Sequence, residues 1–169
     1  VDTKRYQNKR RNRMLNEQRE FREKHVFVSY CHDNRNEVSI LVDDLENAGE
    51  NVWWDEKILC GQDWKEAIRV AMENAFAVIV CLSPELSEDR YRSGVYPEVR
   101  DAITTLRQYG PGESYIFPVR LDECDVPAIE IDDTRTLKRI QHIDLYPGNK
   151  RKTGVRKLLK SLAAAAEHP

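Results

Sequence analysis

Residues 25–33 read His-Val-Phe-Val-Ser-Tyr-Cys-His-Asp, and the fold follows from this stretch. Val26 to Val28 form an apolar run that is too short for a helix and rich in β-formers, so we expect a buried strand. The strand ends in a series of polar side chains. Because ligands bind beyond the carboxyl ends of the strands in an open parallel sheet, we expect a site here. Its candidate residues are Tyr30, Cys31, His32 and Asp33.

Four further segments of the chain have the composition of strands. The third strand is apolar at every residue, which is typical of a central parallel strand covered on both faces. Pro118 in the fourth strand removes a ladder hydrogen bond, which predicts an edge position or a bulge. Including the first, the predicted strands are residues 26–28, 51–55, 76–82, 115–121 and 139–145, and residues 122–136 are predicted to be irregular.

Helical patterns separate these strands. Val38, Leu41, Val42 and Leu45 repeat at helical spacing before Gly49, which is a good residue for a helix end. Asp63 followed by Glu66 resembles a capping box. The helix that it begins would bury one face, made of Trp64, Ala67, Ile68, Ala71 and Ala75. Pro97 fits the first turn of another helix, which we expect to begin near Val95. A closing amphipathic helix follows Gly148 and carries Val155, Leu158, Leu159, Leu162 and Ala166.

Alternating strands and helices predict one α/β domain with a parallel sheet, flavodoxin-like in outline. The chain has 169 residues, of which 40% are hydrophobic and 33% charged, as in a globular protein with one core. The longest apolar run, residues 76–82, is far below the ~20 residues that a membrane helix needs. We therefore expect a cytoplasmic protein that has no membrane partner.

The four cysteines Cys31, Cys60, Cys81 and Cys124 are widely scattered. They form no Cys-x-x-Cys pair and have no histidine at ligand spacing, so we predict neither a metal site nor disulfides. No glycine-rich dinucleotide or phosphate-loop motif is present, and we predict no bound cofactor. Leu82-Ser83 stands where a phospho-acceptor receiver would need a carboxylate, which excludes that class.

The charge of −2 hides an asymmetry. Residues 1–24 hold nine Lys/Arg against four Asp/Glu, a net of +5, which leaves −7 for the rest. We predict that residues 1–24 form a charged helix or linker and that residues 25–169 form the folded domain. Acids alternate with the later bases of this segment, which argues against a nucleic-acid partner. The chain begins at Val1 and not at a methionine, so we expect a domain cut from a longer protein.

One carboxylate is placed for catalysis. Glu98 falls in the first turn of the helix after the third strand, where the helix dipole favours the ionised form. There it should share the sheet edge with residues 29–33 and with Asp55, and an anionic carboxylate beside a ribose can stabilise an oxocarbenium-like cation. Glutamates also favour helix starts for capping alone, so position leaves both interpretations open.

Five segments of the chain follow one another in a recognisable order: Val-Phe-Val-Ser-Tyr (26–30), Val-Trp-Trp-Asp (52–55), Leu-Cys-Gly-Gln-Asp-Trp (59–64), Val-Ile-Val-Cys-Leu-Ser-Pro (78–84) and Phe-Pro-Val-Arg-Leu-Asp (117–122). Together they resemble a Toll/interleukin-1 receptor (TIR) domain of bacterial type. The resemblance covers about residues 25–146 and implies a three-layer sandwich around a five-stranded parallel sheet. It also implies that a protruding loop after the second strand, Glu56 to Asp63, contacts other TIR domains. Within and directly after this loop, we take as the interaction loop Leu59, Cys60, Gly61, Gln62, Asp63 and Trp64.

Many bacterial TIR domains cleave NAD⁺ at the nicotinamide–ribose bond, and the resemblance maps their catalytic glutamate to Glu98. It implies substrate contacts from Tyr30, Cys31, His32, Asp33 and Asp55. Catalytic members often carry Trp four residues before the glutamate, where this chain has Gly94; Tyr96 or Tyr91 would then supply the aromatic face. The sequence leaves two hypotheses: an NAD glycohydrolase or cyclase that oligomerisation activates in bacterial antiviral defence, and a non-catalytic adaptor that signals through TIR–TIR contacts.

Overall fold

The structure is a computed structural model, which describes residues 24–86, 100, 103–104 and 115–167. Five parallel strands form one sheet in the order β2-β1-β3-β4-β5. They are β1 (His25–Ser29), β2 (Val52–Trp53), β3 (Ala75–Leu82), β4 (Ile116–Arg120) and β5 (Ile143–Asp144). The α-helices whose two ends lie within the described residues are α1 (Arg35–Asn47), α2 (Trp64–Glu73) and α3 (Gly148–Glu167). This strand order is that of a flavodoxin-like sheet, so the predicted fold is confirmed.

Two apolar clusters cover the two faces of the sheet. One face packs against α1 and α3, through Val38, Leu41, Val42, Leu45, Leu158 and Leu162. The other face packs against α2 and the irregular segment after β4, through Ala71, Met72, Val126, Ile129, Ile131 and Leu137. Alternate residues of β1 and β3 point into each cluster, which explains why these strands are apolar at nearly every position. The three predicted layers are therefore present.

The elements differ from the prediction mainly at their ends. Gly49 takes a φ of +95° just past α1, as expected of a helix-ending glycine. The Asp63 carboxylate accepts hydrogen bonds from the amides of Lys65 and Glu66, which confirms it as the cap of α2. β2 and β5 are shorter than predicted, with two residues each. The expected helix from Val95 and the charged segment before Lys24 lie outside the described residues, apart from helical positions at 100, 103 and 104.

One predicted burial position and one predicted element assignment are wrong in this part of the chain. Trp64 is 54% exposed although it lies on the same face of α2 as Ala71, because it stands at the first position of the helix, about two turns before the buried Ala71 and Met72. Ala75 belongs to the start of β3 and not to the helix face. The apolar spacing of this segment fitted a helix that continued further than α2 does, since Asn74 ends it.

Pro118 lies inside the sheet and not at an edge, since β4 pairs with both β3 and β5. The Tyr115 carbonyl accepts a hydrogen bond from Val78 at 2.8 Å, and the Leu121 N–H donates to the Leu82 carbonyl at 2.9 Å. The backbone polar groups of the odd-numbered residues of β4 therefore point toward β3, and those of the even-numbered residues point toward β5. Pairing with β5 begins only at Val119. The missing N–H of Pro118 therefore points to the side where the short β5 has not yet begun, and neither an edge nor a bulge is needed.

Gly154 fixes how closely α3 approaches β5. A Cβ at this position would lie 2.4 Å from the Asp144 carbonyl oxygen and 2.8 Å from Leu145 Cδ2. We expect Gly154→Ala to lower the free energy of unfolding by about 1–3 kcal/mol, because overpacking outweighs the better helix propensity of alanine. Denaturant unfolding measures the change. Gly148→Ala is the matched control, since no atom lies within 4 Å of its Cβ, and equal stability of the two variants would contradict the prediction.

His25 makes the stability of the fold depend on pH. Its Nε2–H donates to the Ala71 carbonyl at 2.7 Å, and burial, opposed by this bond and aided by Lys57, lowers the pKa of His25. As the pH falls below about 6.5, His25 therefore binds a proton in the unfolded chain before it does so in the folded one. The contribution of His25 to the free energy of unfolding is complete above that pH and is lost as the pH falls below it.

We expect acidification through that range to lower the midpoint of thermal unfolding less in His25→Gln than in the wild type. Glutamine keeps an N–H donor for the Ala71 carbonyl and does not titrate. His32→Gln, at an exposed position, is the control and should follow the wild type. Parallel pH profiles for His25→Gln and the wild type would show that another group causes the dependence.

Candidate functional site

The polar segment after β1 lies at the carboxyl edge of the sheet, as the sequence predicts. It leaves the strand at Ser29 and turns through a 3-10 turn, His32–Asn34, into α1. Tyr30 and Cys31 are buried, whereas His32 and Asp33 are exposed. The Cys31 thiol donates to Asp33 Oδ2 at 3.5 Å. The four predicted residues therefore form a short wall with two side chains held in the core and two turned to solvent.

Asp55 joins this wall from the end of β2. The Tyr30 hydroxyl donates to Asp55 Oδ1 at 2.5 Å, although the two residues are 25 positions apart in the sequence. Trp54 packs beside the Tyr30 ring at 5.9 Å between centroids. Burial, followed by the bond to Asp55, raises the pKa of Tyr30 above its ordinary range, so the hydroxyl stays a proton donor. The tyrosine thus fixes the orientation of the Asp55 carboxylate.

The end of β3 completes the described part of this edge. Ser83 is buried, and its hydroxyl donates to Asn34 Oδ1 at 2.6 Å. A cavity of about 530 Å³ lies next to Ser83, beyond the ends of β3 and β4. Its lining includes Pro84, Leu86, Cys124, Asp125 and Lys138. A cavity of this size at a sheet edge is in the range of small-molecule sites.

The contact between Asn34 and Ser83 was not predicted, because the two residues lie in separate segments, 49 positions apart in the sequence. Only the sheet order, in which β1 lies between β2 and β3, brings these residues together. Glu98 and Tyr96, the other predicted site residues, lie outside the described residues, as do Tyr91, Gly94 and Pro97.

The interaction loop is exposed. Leu59 is 68% exposed, and Cys60, Gly61, Gln62 and Asp63 are exposed as well. The turn is held by two bonds within it, from the Leu59 amide to Gln62 Oε1 at 2.8 Å and from the Gln62 amide to the Leu59 carbonyl at 3.1 Å. Gly61 supplies a φ of +88°, which side chains disfavour. The loop therefore presents Leu59 on a defined turn, and the Trp64 side chain at the end of the loop is exposed as well.

The cysteines are all free thiols. Burial raises the pKa of the Cys81 thiol to about 12 and also raises that of Cys124, which keeps both protonated. Across the described residues, no group of three His, Cys, Asp or Glu side chains is placed to hold a metal ion. None of the helices in that part of the chain combines the length and apolar character needed to cross a membrane.

Comparisons with known proteins give one matching family and several similar structures. A family model described as TIR domain matches residues 26–159. The TIR domain of a Toll-related receptor from Hydra magnipapillata superimposes with a TM-score of 0.61 and 21% identity, covering 82% of this chain and 97% of that one. A metazoan TIR-STING receptor from C. gigas in complex with 2′,3′-cGAMP gives a TM-score of 0.53 and 17% identity, covering 86% of this chain and 40% of that one. At these identities the two structures show the fold only. The comparison with curated proteins gives no match.

Proposed function

We propose that this chain, which belongs to the TIR domain family, cleaves NAD⁺ at the bond between nicotinamide and ribose. The observation that carries the proposal is the Tyr30–Asp55 hydrogen bond, which joins two strand ends into one oriented polar wall. This wall is at the edge where ligands bind in open parallel sheets. The resemblance of residues 93–99 to the catalytic segment of the family supplies Glu98 as the acting carboxylate.

The reaction needs negative charge next to one ribose. When the glycosidic bond breaks, nicotinamide leaves as a neutral ring and takes the bonding electrons, and the ribose becomes an oxocarbenium-like cation. We assign the stabilisation of this cation to the ionised Glu98. Attack by water then gives ADP-ribose and releases a proton, whereas attack by the adenine ring gives a cyclic product.

The described residues would bind and orient the substrate. Asp55, held by Tyr30, has a second carboxylate oxygen available as an acceptor for ribose hydroxyls. His32 and Asp33 are exposed beside it and can contact the same dinucleotide. The cavity next to Ser83 gives room along the edge for the remainder of the substrate. We assign Cys31 a supporting position, since its thiol is buried and engaged with Asp33.

Self-association is the second part of the proposal. Leu59 and Trp64 expose apolar surface at the loop that the family uses for contacts between TIR domains. We assign this loop to contacts with a second copy of the chain, which would bring the site into its active state. Under this proposal the protein is a cytoplasmic, bacterial-type defence enzyme, and a sensor domain outside this sequence triggers the assembly.

The test is product analysis by chromatography after concentrated protein is mixed with NAD⁺. We expect nicotinamide to accumulate together with ADP-ribose or a cyclic isomer, at a rate that rises faster than the protein concentration. NADH is the matched control substrate, because its dihydronicotinamide ring carries no positive charge and is a poor leaving group. Assembled protein that leaves NAD⁺ intact would support the second candidate, a non-catalytic adaptor, which the exposed loop also favours.

A further inference from the structure

Asn34 has an unusual position at the start of α1. It is the residue that precedes the first helical position, where an asparagine side chain ordinarily caps the helix by accepting an amide hydrogen bond. Here its side chain makes no such bond. Only 9% of the residue is exposed, so its amide group must find partners within the protein.

The side-chain amide of Asn34 forms hydrogen bonds through both its oxygen and its nitrogen to the segment after β3. Oδ1 accepts from the Ser83 hydroxyl at 2.6 Å, and Nδ2 donates to Glu85 Oε2 at 3.1 Å. A carboxylate only accepts hydrogen bonds, so the amide nitrogen has to face Glu85. The backbone N–H of Asn34 donates to the Cys31 carbonyl at 2.8 Å. This bond ties Asn34 to the polar wall. One side chain thus links the segment after β1 to the segment after β3.

We infer that Asn34 is a positioning residue, which sets the distance between the Tyr30–Asp33 wall and the chain that leaves β3. The inference rests on the proposed function. The helix cap that Asn34 forgoes is worth about 1 kcal/mol, so the link is formed at a cost to local helix stability. The Tyr30–Asp55 bond fastens the wall to the end of β2, and Asn34 fastens it to the end of β3. The substrate contacts on the wall are thereby held on both sides.

The link can be broken and rebuilt with isosteric substitutions. Asn34→Asp keeps the acceptor for Ser83 but turns an oxygen toward the Glu85 carboxylate, and the two negative charges repel. Adding Glu85→Gln supplies a donor to that oxygen and restores the link with donor and acceptor exchanged. Glu85→Gln alone keeps the link, because the glutamine carbonyl accepts from Asn34 Nδ2, and it is the matched control for any other effect at position 85.

The experiment measures kcat and KM for NAD⁺ together with the unfolding midpoint and amide hydrogen exchange. We expect Asn34→Asp to lower kcat about 10- to 100-fold at a temperature where the variant is fully folded, with a smaller change in KM. Exchange should rise together in residues 31–34 and 83–86. The double variant should recover kcat to within a few-fold of the wild type, as should Glu85→Gln.

Two results would overturn the inference. One is a folded Asn34→Asp variant with the kcat of the wild type, which would leave Asn34 a structural role only. The other is a double variant that stays as slow as Asn34→Asp, since the hydrogen-bonded link would then not be the cause. A wild-type protein that releases no nicotinamide when assembled removes the proposed function, and with it the effect on kcat. The exchange experiment tests the link independently of that outcome.

Discussion

We expect Glu98→Gln to release nicotinamide from NAD⁺ at least about 100- to 1,000-fold more slowly than the wild type. Glutamine has the shape of glutamate but no charge, so it keeps the contacts of the side chain and removes its stabilisation of the ribose cation. Loss of one stabilising group of this kind costs about 10²–10³ in other enzymes. The measurement is nicotinamide release by assembled protein, with kcat and KM determined separately, and the decrease should appear in kcat.

Capping of a helix is the competing explanation for Glu98, and Glu37 offers the matched control. Glu37 is an exposed acidic residue in the first turn of α1. Glu37→Gln should therefore show whatever stability change a helix-start carboxylate contributes, about 0.3–1 kcal/mol, while nicotinamide release stays at the wild-type rate. If both variants lose the same stability and neither loses activity, Glu98 is a capping residue and its assignment as the catalytic carboxylate is wrong.

The fold could be predicted because its signals are local. An apolar run of strand length, such as residues 76–82, must be covered on both faces, and the helical spacing from Val38 to Leu45 identifies the element that covers one of them. Burial at particular positions was less predictable. Trp64 shares a helix face with the buried Ala71, but it stands at the first position of α2, where this face is still exposed, and the sequence does not show where along the helix burial begins. Pro118 is tolerated inside the sheet only because β5 begins late, and the sequence contains no signal for that.

The candidate site was predictable in its location and not in its connections. A polar cluster after a strand indicates the sheet edge, so the position of Tyr30 to Asp33 and of Asp55 at this edge could be predicted from the sequence, while their roles in substrate binding stay predictions. The hydrogen bonds between them depend on strand order, which no single segment encodes. Asn34 illustrates this limit: its neighbours in the sequence indicate a turn and a helix start, whereas its two side-chain partners, Ser83 and Glu85, lie in the segment that follows β3.

The exposed loop gives the second large effect that we expect. Leu59→Asp should weaken self-association about 10- to 100-fold, because a leucine side chain buried in a contact contributes about 1.5–3 kcal/mol and a buried aspartate opposes the contact. Folding should be unaffected, since Leu59 is exposed and the bonds that hold its turn involve its backbone only. Sedimentation measures the association, and nicotinamide release should reach its half-maximal rate at a correspondingly higher protein concentration.

Ile40→Asp separates this effect from the general consequences of a new surface charge. Ile40 is 53% exposed on α1 and lies outside the interaction loop, so its replacement adds the same charge and removes a comparable apolar side chain. We expect this variant to associate and to cleave NAD⁺ like the wild type. If the two substitutions weakened self-association equally, the cause would be the added negative charge and not the loss of a contact made by the loop. Because Glu98 and Leu59 act at different steps, a high concentration of protein should rescue Leu59→Asp and should leave Glu98→Gln inactive.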